Sequence, residues 1–236
     1  MPGKFFGIGV GPGDPELLTF KAYKALEQTE ILCIPKSSGD KESLALSVVS
    51  KMLSREFNYL ELHFPMSMDA KVLKESWDKA GQAVAECLLQ GRSVSFVTIG
   101  DPMFYSTYGY LLRYLKNNHP DVETQTIPGI TAFSACASYL QIPLVEAEET
   151  VAVIPAAYGL DKFRDVLDSF DNIVLMKVNR RFDDVLAELE KLGLKDKAVF
   201  ISRVGYPEQY ATRDLDSLAG KKLDYMSLII VQKRRD

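Results

Sequence analysis

Histidine, cysteine and tryptophan are nearly missing from this chain, with two, three and one among 236 residues. His63 and His119 are its only imidazoles, and Cys33, Cys87 and Cys136 are widely spaced, with no Cys-x-x-Cys pair. That scarcity leaves no ligand set of the usual types, so no metal site is expected. An odd number of scattered thiols points to a reducing, cytoplasmic compartment, with each cysteine serving as a small buried apolar residue. Positive charge is not in excess either: 28 Lys and Arg face 32 Asp and Glu, a formal charge of −4. Without a basic surface, nucleic acid is not expected as a partner. No apolar run approaches the ~20 residues that span a bilayer, so no membrane partner is expected. The opening MPGKFFGIGV enters a strand pattern directly and does not read as a cleavable signal.

What is present is ordinary globular material, 47% hydrophobic and 25% charged, enough for one large domain or two small ones. Apolar runs alternate with helical patterns. FFGIGV, EILCIP, YLELHF and SVSFVTIG read as strands, with Pro35 ending the second. FKAYKALEQT, Ser43 to Leu53, Ala70 to Gln90 and Tyr108 to Lys116 read as helices, the first capped by Thr19. Strand and helix in alternation imply βαβ units and a mostly parallel sheet. The pattern changes at NNHPD, Asn117 to Asp121. Beyond it, VAVIP, NIVLMKV, AVFISRV and YMSLIIVQK are strand-like, with fewer long helices between them. The expectation is an α/β protein of two α/β domains: residues 1–119 with a mostly parallel sheet, and residues 120–236 with a mixed sheet.

The first strand runs into GIGVGPGDPELLT, Gly7 to Thr19. A dinucleotide finger needs G-x-G-x-x-G opening a helix at once, so that helix N–H groups face a pyrophosphate. Here the sixth position is Pro12 counted from Gly7, and Asp14 counted from Gly9. Pro12 and Pro15 also remove N–H donors that a phosphate cradle would use, and no Gly-Lys-Ser/Thr follows. The loop is therefore built for tight backbone turning and close approach, not for phosphate.

Two more loops follow strand-like segments: TIGDPMFYSTYGYLL, Thr98 to Leu112, and TIPGITAFSACAS, Thr126 to Ser138. Ligands of parallel sheets gather outside the carboxyl ends of the strands. The order and spacing of GxGPGD, GDPxFYST and IPGITAFSA resemble the tetrapyrrole methylases. So do LMKV (Leu175 to Val178), RVG (Arg203 to Gly205) and YMSLIIV (Tyr225 to Val231), which carry the resemblance over nearly the whole chain. Within the family, IPKSSGDKESLA, GDPMFYSTY and IPLVEAEETVAVIPA are most similar to the branch that methylates C20 in cobalamin synthesis. The family's uroporphyrinogen enzymes carry an Asp at the end of the second strand. Here Pro35, Lys36, Ser37 and Ser38 stand there instead.

The resemblance implies a class III S-adenosylmethionine-dependent methyltransferase: two α/β domains, the cofactor in the cleft between them, and a homodimer. It implies cofactor contacts at Pro12, Gly100, Asp101, Pro102, Met103, Tyr105, Thr131, Ala132, Met176, Gly205, Met226, Ser227 and Leu228. The implied substrate is a sirohydrochlorin-type tetrapyrrole, precorrin-2 or cobalt-factor II, methylated at its C20 meso carbon, leaving S-adenosylhomocysteine. Asp101, Tyr105 and Glu146 are candidates for a catalytic proton acceptor. A polycarboxylate substrate bound by an acidic protein calls for a local basic cluster. Lys36, Lys177, Arg180 and Arg181, with Ser37, are the substrate-binding candidates, and Arg203 and Arg213 also flank strand ends. The rivals are another methylation step of the corrin pathway, a diphthine synthase or ribosomal RNA methylase of the same architecture, and a non-catalytic protein that binds adenosylmethionine.

Overall fold

Two-residue alternation builds the first sheet. In β1 (Phe5–Gly9), β2 (Ile31–Lys36) and β4 (Val94–Thr98), Phe5, Ile31, Cys33, Val94 and Phe96 fall on one face, and Phe6, Ile8, Leu32 and Val97 on the other. With β3 (Asn58–His63) and β5 (Thr124–Ile127) the order is β3-β2-β4-β1-β5. Every pairing in this sheet is parallel. A parallel sheet needs both faces covered. Helices α3 (Ala70–Leu89) and α4 (Tyr108–Asn118) close the first face through Val84, Leu88, Tyr108, Leu111 and Leu115. Helices α1 (Phe20–Glu27) and α2 (Leu44–Met52) close the other through Ala22, Leu26, Val48 and Val49. Thr19, Ser43 and Asp69 cap α1, α2 and α3 by accepting from backbone N–H groups of the first turn.

This computed structural model describes residues 1–36, 43–65, 67, 69–156 and 163–234. The chain divides into two units, Met1–Thr131 and Ala132–Asp236. The change of pattern at Asn117 to Asp121 placed the division at residue 119; instead β5 pairs with β1 and belongs to the first sheet. β5 is short and half-buried, so nothing in its own pattern says which sheet it joins. Pro35 also behaves differently from expectation. It lies inside β2, opposite Leu62 of β3. The pairing of β2 with β4 has already stopped at Cys33, so a residue without an N–H is accommodated where β2 has lost one neighbour.

The second unit contains α5 (Ala132–Leu140), β6 (Val151–Pro155), α6 (Phe163–Ser169), β7 (Asn172–Met176), α7 (Phe182–Lys191), β8 (Ala198–Ser202), β9 (Tyr210–Thr212) and β10 (Ser227–Gln232). Its sheet runs β6-β7-β10-β8-β9. β6 and β7 are parallel, while β10 is antiparallel to both β7 and β8, and β9 is antiparallel to β8. The sheet is thus mixed. Ile173, Leu175, Phe200, Ile229 and Val231 form a core with Phe163 and Leu167 of α6 and Val185 and Leu189 of α7.

Candidate active site

Three loops leave the carboxyl ends of β1, β4 and β5 and meet on their backbones. Gly11 and Gly100 exchange two hydrogen bonds: Gly11 N–H donates to the Gly100 carbonyl at 3.3 Å, and Gly100 N–H to that of Gly11 at 2.7 Å. Gly129 fits against this pair. A Cβ on Gly129 would stand 2.1 Å from the Gly100 oxygen, and a Cβ on Gly9 would stand 2.6 Å from the Gly129 nitrogen. Neither position admits a side chain, so glycine is required where the three chain segments touch. Gly7 answers a different demand. A Cβ there would lie 2.0 Å from Tyr108 Cζ. The buried Tyr108 ring occupies that space and bonds Thr126 Oγ1 at 2.7 Å.

Asp101 holds the second loop to the third. Its Oδ1 accepts from Met103 N–H at 2.8 Å and its Oδ2 from Gly129 N–H at 3.0 Å. Pro12 and Pro102 are buried beside these turns. Met103 and Tyr105 are not, at 64% and 49% exposed. Tyr105 adopts φ 49°, a left-handed conformation that an aromatic residue rarely takes without purpose. Its partial burial pushes the phenol above its ordinary value. Ser106 Oγ lies 3.3 Å from Thr98 Oγ1 at the end of β4 and accepts from the N–H of Tyr108, the first residue of α4, at 3.2 Å. Thr131 ends the first unit, half-buried.

In the second unit the implied residues gather at one sheet end. Pro155 pairs with Met176, Met176 with Leu228, and Ser227 with Ser202. From that end Lys177 (φ 57°) leads into a 3-10 turn of Val178–Arg180, and Arg203 (φ 54°) leads to Gly205 (φ 83°). Met176 and Met226 are half-buried and Ser227 and Leu228 buried. Ala132 opens α5 and is half-buried.

Glu146 and Arg213 separate from these. Glu146 lies ahead of Val151, the first residue of β6, in a loop held to the start of β7 by Asn172 Nδ2 donating to Glu149 Oε2 at 3.1 Å. That is the opposite end of the sheet from Met176. Arg213 follows Thr212, which pairs with Phe200, and so also points away from the Ser202 end. Arg181 follows the 3-10 turn, with Nε 2.8 Å from Asp184 Oδ2, and Arg180 is exposed. Lys36 closes β2, opposite His63; Ser37 lies outside the described residues. Missed by sequence reasoning was Asp224, which bonds both Arg203 and Met226. An Asp directly before YMS looks like any surface carboxylate until the turn is seen.

The chain thus has two α/β units, the first with glycine-built turns at the carboxyl ends of β1, β4 and β5. The chain belongs to the tetrapyrrole (corrin/porphyrin) methylases, whose family model matches residues 4–219. It is 32% identical over 235 residues to the cobalt-precorrin-2 C(20)-methyltransferase of Salmonella typhimurium, covering 99% of this chain and 98% of the relative. It is also 32% identical to the precorrin-2 C(20)-methyltransferase of a Sinorhizobium species, over 99% of this chain and 97% of that one. Among solved structures, the uroporphyrin-III C-methyltransferase of Thermus thermophilus complexed with S-adenosylhomocysteine shares the fold. Its TM-score is 0.68, its identity 19%, and 98% of each chain is covered.

Proposed function

We propose that this protein is an S-adenosylmethionine-dependent C-methyltransferase of cobalamin synthesis, adding a methyl group at C20 of a sirohydrochlorin-type tetrapyrrole. The observation that carries this is the junction of Gly9, Gly100 and Gly129 at three adjacent strand ends, tied by Asp101. Around Gly100 the space for a side chain is open, the nearest atom being the Ile130 carbonyl oxygen at 4.0 Å. Such a surface offers backbone groups and apolar walls without a phosphate cradle, which suits an adenosyl amino acid. The residues proposed to contact the cofactor are Pro12, Gly100, Pro102, Met103, Tyr105, Thr131, Ala132, Met176, Gly205, Met226, Ser227 and Leu228. When bound, S-adenosylmethionine supplies a methyl group already activated by its sulfonium.

The protein's share is orientation and exclusion of water. Asp101 is a positioning residue, because both its oxygens already accept backbone N–H groups. Tyr105, its phenol raised by burial, stays protonated at neutral pH and serves as a hydrogen-bond donor rather than a base. Glu146 is left out, standing at the far end of its sheet. Lys36, Ser37, Lys177, Arg180 and Arg181 supply positive charge and a hydroxyl for the substrate carboxylates. We place the enzyme in the cytoplasm as a homodimer, a state that light scattering on the purified protein checks.

The reaction is tested by incubating the protein with S-adenosylmethionine and either metal-free or cobalt-loaded sirohydrochlorin. One added methyl by mass spectrometry, located at C20 by NMR, is expected. A methyl at another carbon would assign the chain to a different step. Cofactor uptake without any turnover would make it a binding protein.

A further inference from the structure

We infer that Arg203 and Asp224 form a clasp that positions residues 203–209 and 224–227 for the cofactor, so that this ion pair sets cofactor affinity. The inference rests on the proposal that Gly205, Met226, Ser227 and Leu228 contact S-adenosylmethionine, and it deepens that proposal. The chain leaves β8 through Arg203 at φ 54°, where glycine would cost nothing. An arginine kept in such a conformation is held by its partners.

Those partners all belong to the two turns. Arg203 N–H donates to the Met226 carbonyl at 2.9 Å, and the Arg203 carbonyl accepts from Tyr206 N–H at 3.0 Å. Its Nη1 donates to Asp224 Oδ2 at 2.9 Å. Its Nε lies 3.4 Å from Glu208 Oε2, and its guanidinium carbon 5.1 Å from the centre of the Tyr206 ring. Asp224 completes the loop. Its other oxygen, Oδ1, accepts from Met226 N–H at 2.8 Å, and its backbone carbonyl accepts from Ser227 Oγ at 2.7 Å. One carboxylate therefore spans the arginine of one turn and the methionine of the other. The side chains of Arg203 and Asp224 are 29% and 34% exposed, so the pair is screened less than a surface ion pair. Two carboxylates already face Arg203, which leaves it poorly suited to bind a substrate carboxylate.

The test is calorimetric titration of S-adenosylhomocysteine into the wild type, Arg203→Met, Asp224→Ala and the double variant. Each single change is expected to raise Kd tenfold or more, and the double variant to be no more than about twofold worse than the weaker single, since one interaction is lost once. The KM for S-adenosylmethionine should rise with Kd while kcat at saturation stays within threefold, a split that mere loss of folded protein would not give. Arg203→Lys, which keeps the charge but not the planar fork, should fall between. Should Arg203→Met not fold by circular dichroism, Arg203→Lys and Asp224→Asn carry the same comparison. Single variants binding within twofold of wild type overturn the clasp, as does a double variant whose loss is the product of the two singles. A wild type that takes up no S-adenosylhomocysteine would instead remove the underlying cofactor proposal.

Discussion

Tyr206, only 7% exposed, places its hydroxyl in the interior with no hydrogen-bond partner among the described residues. Burial without a partner costs about 1–3 kcal/mol for such a group. Burial is also the main reason its phenol is raised above the ordinary value. The ring earns its place by packing under the Arg203 guanidinium, and a phenylalanine keeps that contact. Tyr206→Phe should therefore stabilise the free protein by about 1 kcal/mol, read as a higher urea midpoint at unchanged slope. A lower midpoint would mean that the hydroxyl has a partner in solution.

The loops of the first sheet show how one side chain can govern several elements. Asp101 stands at the end of β4 yet bonds the turn after β5 through Gly129. Asp101→Ala leaves Met103 N–H and Gly129 N–H without their acceptor, and should cost about 1–3 kcal/mol in stability. S-adenosylhomocysteine affinity should fall with it. Asp101→Asn retains one acceptor oxygen but turns an NH2 toward a donor, and should lie between wild type and alanine in both measurements. Equal binding and turnover in all three proteins would take Asp101 out of the site.

The elements themselves were legible because alternation and helical periodicity follow from burial alone, as in β1, β4 and α3. β9 was not, because Tyr210–Thr212 is three residues long and half-exposed, too short to show a period. The site was legible only as loops at strand ends. Which strand ends share an edge depends on register and strand direction, which a sequence does not display. Glu146 was therefore placed with residues that lie at the other end of its sheet. Asp101 is only one of three proton-acceptor candidates in the sequence, because a carboxylate in a Gly-Asp-Pro turn gives no sign of the two N–H groups its oxygens accept.

Across the whole molecule the three thiols are buried. Burial pushes Cys33 well above its ordinary value and Cys136 from 9.0 to about 12. Below pH 9 folded and unfolded chains both keep these protons, so they contribute no pH dependence. Above it the unfolded chain releases them and the folded chain does not, which favours unfolding. Stability should fall as pH rises from about 9 toward 12. A thiol reagent at neutral pH should meet no fast-reacting group until denaturant is added. The fall in urea midpoint between about pH 9 and 10.5 should be shallower in Cys136→Ala than in wild type. Identical slopes would show that Cys136 is solvated in the folded protein.

Cofactor choice is decided by what the strand ends fail to provide. Pro12 and Pro15 interrupt the first loop where a nucleotide cradle would present N–H groups. Pro15 also begins a single 3-10 turn, Pro15–Leu17, capped by Asp14, so the position nearest the loop carries a carboxylate. A pyrophosphate would meet that charge with few donors to offset it. An adenosyl amino acid, without phosphate, escapes this penalty. Any ligand that binds only the folded state stabilises it by mass action, about 2.7 kcal/mol at a concentration one hundred times its Kd. S-adenosylhomocysteine at that excess should raise the unfolding free energy by this amount. NAD at the same concentration should leave the urea midpoint where it was. Stabilisation by NAD equal to that by S-adenosylhomocysteine would show that the first loop accepts phosphate after all, and that prolines among its glycines do not discriminate between the two kinds of cofactor.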